Sequence, residues 1–338
     1  MSITSITAAA MLGSINISVW EARKQDRKTA EEVTSSKGAR SKRAATVHKH
    51  LFSECPALES IKSLRGEVRQ WFNTVTLPWD DNGRRIVTTA QYLDITSQAA
   101  KYQSRFDALV RTFLATYSTE ISKQAFEMGA LFDRSEYPPE DEVAAKFRFS
   151  YVIEPLPMSG DFRVDIGNEQ ANALREQYDR QVAERVSGAV ADAWERVKTQ
   201  VEWVRERMDA VLAYDPDQVE EITHRGPVKV GTEEVPEYDD EGNVVGTTTR
   251  DITQEGVVSV EIKKKRRPKL YDSMLEQGLA LTDLLKDLNV TNDPRLEQAR
   301  VALETALSRV DIDSLRESPE LQHATKRAMD DILDKFAL

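Results

Sequence analysis

The chain reads as a mainly α protein with a β component (α+β). It combines long antiparallel helices in coiled-coil-like packing, a small antiparallel sheet with a hairpin, and a β-rich inserted arm. Three observations predict this. Apolar residues recur every three or four positions from Ile95 to Phe132 and again from Leu174 to Val211, the period of one helix face. Between two helical patterns lies the stretch Thr76-Leu77-Pro78-Trp79-Asp80-Asp81-Asn82-Gly83-Arg84-Arg85, in which Asn82 and Gly83 tolerate the positive φ that a tight hairpin demands. Residues 217–262 then break into short valine-rich runs around Val228, Val230, Val235, Val244 and Val257 to Ile262, with Asp240-Glu241-Gly242-Asn243 as a turn. The expected organisation is a body over residues 1–214, an arm over 215–268 and C-terminal helices over 269–338 that pack on the body.

The elements follow in order. Ile15 to Trp20 alternates apolar and polar residues, as a half-buried strand does, and pairing with the central hairpin is expected. Glu21 to Lys37 is polar, a loop or exposed helix. From Ala39 a helical pattern begins, with Val47, Leu51 and Cys55 four apart; Pro56 suits the first turn of its continuation, and Leu58, Ile61, Leu64, Val68 and Phe72 extend the stripe. Pro78 forces Leu77 out of the α region and ends that helix, and Arg85 to Thr89 is β-prone. Tyr137-Pro138-Pro139 stops the long central helix. A short helix to Phe147 and a strand over Phe149 to Ile153 come next. Asn168 suits the N-cap of a second long helix reaching Tyr214. From Val190 to Val211 its apolar spacing alternates four and three, a heptad seam that points to self-association. The C-terminal part returns to helix over Leu270–Leu288, Pro294–Val310 with Asp293 as N-cap, and Pro319–Phe336.

Composition bounds the function. The 338 residues are 30% charged and 7% aromatic with a net charge of -11, as in a helix-rich soluble protein. The charge is segregated. Residues 36–50 carry five basic residues (Lys37, Arg40, Lys42, Arg43, Lys49) and no acid, and residues 263–269 carry six (Lys263, Lys264, Lys265, Arg266, Arg267, Lys269) and no acid. One cysteine, Cys55, rules out an internal disulfide and fits a reducing compartment. The Ala8–Leu12 run is too short for a signal or membrane segment, so the expected location is the cytoplasm of a bacterial or infected host cell, with no membrane partner.

Chemical motifs are sparse. The sequence has neither a Gly-x-x-x-x-Gly-Lys-Ser/Thr loop nor Gly-x-Gly-x-x-Gly, so no cofactor is expected and any ATP is hydrolysed elsewhere. His48 and His50 with Cys55 are the sole metal-like grouping; on a helix the two histidines face apart and a fourth ligand is missing, so no metal is expected. Asp80 and Asp81 beside Arg84 and Arg85 read as an acid-base site or as a turn whose Asp side chains bond nearby amides, and the turn is favoured. With no catalytic residue in view, the expectation is a non-enzyme. Trp79, Arg84 and Arg85 read either as a partner anchor on the hairpin or, for Trp79, as a lid on the core, which is favoured. Lys263, Lys264, Lys265, Arg266, Arg267 and Lys269, with Lys42 and Arg43, read as a contact for phosphates or an acidic protein. The alternative is that the run guards a strand edge or pairs with Glu233, Glu234, Asp239, Asp240 and Glu241.

Several pieces together resemble a family. They are Ile17-Ser18-Val19-Trp20, the Thr76–Arg85 stretch, Tyr137-Pro138 with Phe147, Pro157 with Asp161-Phe162-Arg163, and Leu288-Asn289 with Asn292-Asp293-Pro294. They look like an uncharacterised family of phage and bacterial proteins catalogued only as a domain of unknown function, across nearly the whole chain. The resemblance implies genes near an AAA+ ATPase of the MoxR or cobalt-chelatase (CobS) type and near a partner with a von Willebrand factor A-like domain. It brings no activity or catalytic residue. The leading expectation is therefore a non-enzymatic, oligomeric adaptor working with an AAA+ ATPase. The alternatives are a nonspecific nucleic-acid-binding protein of phage replication or packaging, and a virion or scaffold component.

Overall fold

A computed structural model describes residues 9–41, 43–157, 168–215, 217, 219–238, 244–264 and 266–337. The protein is mainly helical with small antiparallel sheets, as expected. It forms two compact units. The first holds Met1–Thr199 and Ala280–Glu304, and the second Gln200–Leu279 and Thr305–Ala337.

The first unit is built on a four-stranded antiparallel sheet. Its strands are β1 (Ala10–Ser18), β4 (Leu77–Pro78), β5 (Arg85–Thr88) and β6 (Arg148–Pro155), in the order β4-β5-β1-β6. The N-terminal strand starts earlier than its alternation from Ile15 suggested and ends at Ser18: the added residues Ala10–Gly13 pair with the hairpin strand β5, Leu12 opposite Ile86, while Ile15–Ser18 face β6, which pairs with β1 from Met11↔Pro155 to Ser18↔Arg148. Gly13 sits where β1 runs closest to its neighbours: a Cβ there would come within 2.7 Å of a Val87 methyl and 3.2 Å of the Phe72 ring.

Helix α1 (Arg27–Ser36) is capped by Asp26, whose carboxylate accepts the Thr29 amide at 3.1 Å. Helix α2 (Pro56–Val75) starts with Pro56 and buries the expected stripe of Leu58, Ile61, Leu64, Val68 and Phe72. Helix α3 (Tyr92–Glu127) has 36 residues, about 54 Å at ~1.5 Å per residue, and packs on α2. Beside this pair Trp20, Phe52, Phe113, Tyr117 and Tyr137 pack in tilted and edge-to-face contacts, with centroids 5.6–6.4 Å apart. Two phenols are tied to backbone there: Tyr117 donates to Pro138 O at 2.8 Å and Tyr137 to Leu51 O at 2.5 Å.

One segment departs from expectation. Among the described residues of 39–55 there is no helix; β3 (His48–His50) pairs with β2 (Arg23–Gln25). The backbone bonds of this segment reach across to the earlier chain, Asp26 N to Val47 O and Leu51 N to Ala22 O, instead of running four residues back. Leu51, Phe52 and Cys55 still reach the core, but from extended backbone. The central helix also ends earlier than its periodicity suggests: Met128 caps it, and a short 3-10 turn over Gly129–Leu131 carries the chain to Phe132. A short helix α4 (Glu140–Ala144) precedes β6.

Helix α5 (Asn168–Leu212) has 45 residues. Its buried stripe is Val182, Val186, Ala189, Ala193, Val197, Val201, Val204, Met208 and Val211. Ala189 and Ala193 take the inner positions that the spacing gave to Val190 and Trp194, which are half-buried. The expectation that the Val190–Val211 seam serves self-association is corrected, because Val197, Val201, Val204 and Met208 are 0% exposed within one chain. A stripe already covered intramolecularly leaves little to gain from a second copy.

Helices α6 (Asp272–Leu288) and α7 (Pro294–Ser308) are joined by a turn in which the Asn289 side chain accepts the Asp293 amide at 2.8 Å and donates to its carbonyl at 3.0 Å. Asp293 in turn accepts the Arg295 amide at 2.9 Å, as a cap should. Arg300, 7% exposed, forks onto Glu297 and reaches Glu304, each at 2.7 Å. In the second unit, α8 (Ile312–Glu317), which the spacing did not reveal, precedes α9 (Pro319–Phe336); Ser318 caps α9 by accepting the Leu321 amide. The largest element there is a hairpin of β7 (Val219–Tyr238) and β8 (Val244–Lys264).

Candidate functional site

The Trp79 loop joins β4 to β5. Gly83 adopts φ +83°, the left-handed conformation its sequence suggested. The loop spans six residues between the pair Pro78↔Arg85, longer than the two-residue turn that Asn-Gly favours. Asp80 organises it: Oδ1 accepts the amides of Asn82 at 3.0 Å and Arg84 at 3.2 Å, and Oδ2 accepts Arg84 Nε at 2.6 Å. Burial pushes the Asp80 carboxyl up, but the Arg84 guanidinium and the two amides outweigh it and hold the pKa below the usual value. Both of its oxygens are thus engaged within the turn. Asp81 is exposed beside it.

Trp79 is not a surface anchor. It is 4% exposed, and the Arg185 guanidinium of α5 lies 5.3 Å from its ring centre. Arg84 pairs with Asp80 and, more distantly, with Glu154. Arg85 is spent on the C-terminus of α2, where it donates to Asn73 O at 3.1 Å, Thr76 O at 2.9 Å and Thr76 Oγ1 at 2.6 Å. Arg196, from α5, converges on the same place and donates to Thr74 O, Asn73 O and Thr76 O. Two guanidiniums thus occupy the carbonyls that a helix end leaves unpaired. Burial, and then the like charge of Arg196, lower the Arg85 pKa. Trp79 is thus committed to the core, Arg85 to the helix end and Arg84, still partly exposed, to the turn.

The first basic stretch is dispersed. Lys42 lies outside the described residues, Arg43 is exposed, and Lys49 pairs with Glu136 and donates to Leu131 O at 3.0 Å. His48 and His50 sit at i and i+2 of a strand, which places them on one side, the reverse of the helical expectation. Cys55 is buried, and among the described residues no group of three or more His, Cys, Asp or Glu could hold a metal.

The hairpin is the feature that local spacing least conveyed. Its short runs are two continuous strands of 20 and 21 residues, about 65 Å long at ~3.3 Å per residue. Gly226 opposes Gly256, and three irregularities shift the register, at His224/Arg225, Lys229/Gly231 and Glu237/Tyr238. Among the described residues its strands pair only with each other, so each has an outer edge of unpaired backbone groups. Val230, Val257, Val258 and Val260 are each more than half exposed, and Ile252 is 44% exposed. The expected turn over 240–243 lies outside the described residues.

The register also settles where the charges fall. Glu233 and Glu234 stand opposite Arg250 and Thr249 in the far half of the hairpin, whereas Lys263 stands opposite Glu220 where the strands begin. The suggested pairing of the basic run with Glu233 and Glu234 is therefore corrected, and Asp239, Asp240 and Glu241 lie outside the described residues. Lys263 and Lys264 belong to β8, Lys265 lies outside the described residues, and Arg266, Arg267 and Lys269 follow the strand in irregular chain. Arg267 and Lys269 line a cleft of about 450 Å³ with Pro268, Leu270, Tyr271, Val211 and Arg316. Arg316 is fixed by two bonds to Leu270 O, at 3.0 and 2.9 Å, and by Asp272 and Asp313. Tyr271 is 49% exposed, with the Arg207 guanidinium 6.0 Å from its ring centre. Arg207, Val211 and Arg316 were not foreseen as members of this group, and no local pattern marks them.

No protein-family model, curated protein or solved structure matches the chain. Among the described residues no helix is long and apolar enough to cross a membrane.

Proposed function

We propose that this chain is a non-enzymatic interaction protein that presents the β7–β8 hairpin as an arm to a protein partner. The observation that carries the proposal is the hairpin itself. A two-stranded ribbon is marginal alone in water, yet this one extends over some twenty residue pairs with valines in solvent and, among the described residues, both edges open. Such an edge takes another strand by backbone hydrogen bonding, while exposed side chains on the ribbon select it. The family resemblance makes an AAA+ ATPase of the MoxR type the partner to test first. In this reading α5 is the stem of the arm, with coiled-coil-like packing along its stripe, and ATP is hydrolysed by the partner.

The test compares the full chain with a variant in which residues 220–263 are replaced by a short Gly-Ser linker. Both are mixed with an ATPase of that class encoded beside the gene, and co-elution and ATP turnover are measured. The proposal expects the full chain to co-elute and to change turnover, and the variant, with its helical circular dichroism otherwise kept, to do neither. Equal binding by the two proteins, or no binding by the full chain at low salt, overturns it.

A further inference from the structure

We infer that the cleft bounded by Val211, Arg267, Lys269, Tyr271 and Arg316 is a binding site for single-stranded nucleic acid, with a base against Tyr271 and phosphates on Arg267 and Lys269. The inference is independent of the hairpin's partner. Four observations converge on it. Every charged residue lining the cleft is a cation. Among the described residues neither Arg267 nor Lys269 forms an ion pair with a carboxylate; Arg267 makes one long bond, to Arg316 O at 3.3 Å, and both side chains are in solvent. Part of the wall is apolar, formed by buried Leu270 and Val211 and half-buried Pro268. Tyr271 presents half its surface to solvent at the same place.

Chemistry narrows the ligand. A bare phosphate would use the two cations and leave the apolar wall and the ring unsatisfied. An acidic peptide would use the cations but has no flat group for Tyr271. A base stacks on an aromatic face whatever its sequence, and in a single strand the base and its phosphates are presented together. In a duplex the bases are paired and stacked inside, so only the cations would be used. Arg316 does not serve as an anion clamp, because Asp272 and Asp313 neutralise it. It fixes the wall through Leu270 O. Arg207 beside Tyr271 holds the ring by a cation–π contact and adds positive charge.

The experiment is fluorescence anisotropy of a labelled oligothymidylate about a dozen nucleotides long, with a duplex of equal length and polyglutamate as rival ligands, across a salt series. Single-strand affinity is expected to fall with salt. Changing both Arg267→Gln and Lys269→Gln should flatten the log–log slope by about 1.4, roughly 0.7 per phosphate contact. Tyr271→Ala should weaken single-strand binding roughly 5- to 150-fold, the loss of one stacked base, with duplex binding little changed. Tyr271→Phe should restore it, which separates stacking from a structural role, and thermal melting confirms that the variants are folded. No single-strand binding at low salt overturns the inference. So does equal binding of duplex or polyglutamate with no response to Tyr271→Ala, which would identify a general polyanion or acidic-protein contact.

Discussion

Arg85 and Arg196 share the carbonyls at the end of α2, and the sharing makes a quantitative prediction. Asn73 O and Thr76 O each accept from both guanidiniums, whereas Thr74 O accepts from Arg196 and not from Arg85. Replacing either arginine with methionine leaves the two shared carbonyls with a charged donor. A hydrogen bond to a charged group contributes about 1.5–3 kcal/mol, and because the partner takes over, each single change is expected to cost about 1–2 kcal/mol. Two effects make the double change worse than the sum. With both donors gone the shared carbonyls lose their guanidinium partners. Also, the like-charge repulsion that depresses the Arg85 pKa is relieved once in the double variant but counted twice when the singles are added. Both push the coupling energy the same way, and about 1–2 kcal/mol is expected, within the range for residues sharing one network. Urea unfolding of the four proteins, read by tryptophan fluorescence at constant m, measures it. Additivity within about 0.5 kcal/mol would refute the shared-cap reading.

Other expectations follow from the same structure. Phe113→Ala removes a fully buried ring from the aromatic cluster and should cost about 3–5 kcal/mol by the same unfolding assay. Asp80→Asn should destabilise by about 1–2 kcal/mol at neutral pH through loss of the ionic bond to Arg84. Because the folded-state pKa of Asp80 is depressed, its contribution is present above the unfolded carboxylate pKa and is lost as pH falls through the lower folded value, so wild type and variant should converge in acid. Burial raises the phenol pKa values of Tyr117 and Tyr137 to about 12. Ultraviolet titration should find these two phenols still protonated where exposed tyrosines have ionised. Since the unfolded chain releases those protons near pH 10, stability should decline as pH rises from about 10 toward 12, less steeply in Tyr117→Phe.

The helices were legible where one face repeats over many turns. The α2 stripe from Leu58 to Phe72 and most of the α3 stripe are buried as their spacing implies. Pro56, Asp293 and Ser318 act at helix starts because caps are local chemistry that neighbouring residues fix. The helical expectation for residues 39–55 fails because Val47, Leu51 and Cys55 fit a helical period by count alone, while the backbone bonds of Val47 and Leu51 go to Asp26 and Ala22, which no local pattern specifies. The candidate site divides in the same way. Arg267 and Lys269 belong to the basic run that the sequence displays, and Tyr271 follows it two residues on. Arg207, Val211 and Arg316 come from other helices, and folding brings them to the cleft.

By itself the sequence determined the mainly helical class, the stripes, the caps and the sharp punctuation at Pro78, Gly83 and Pro138, because each rests on periodicity or on the backbone preferences of a few adjacent residues. Tertiary structure alone decided which partner each group meets. It buried Trp79 under Arg185 and turned Arg85 and Arg196 onto one helix end. It covered the α5 stripe within one chain, and by strand register it set Lys263 and Lys264 apart from Glu233 and Glu234. The physical reason is common to all of these: burial and charge pairing depend on distances between residues far apart in the chain, and periodicity carries no information about them.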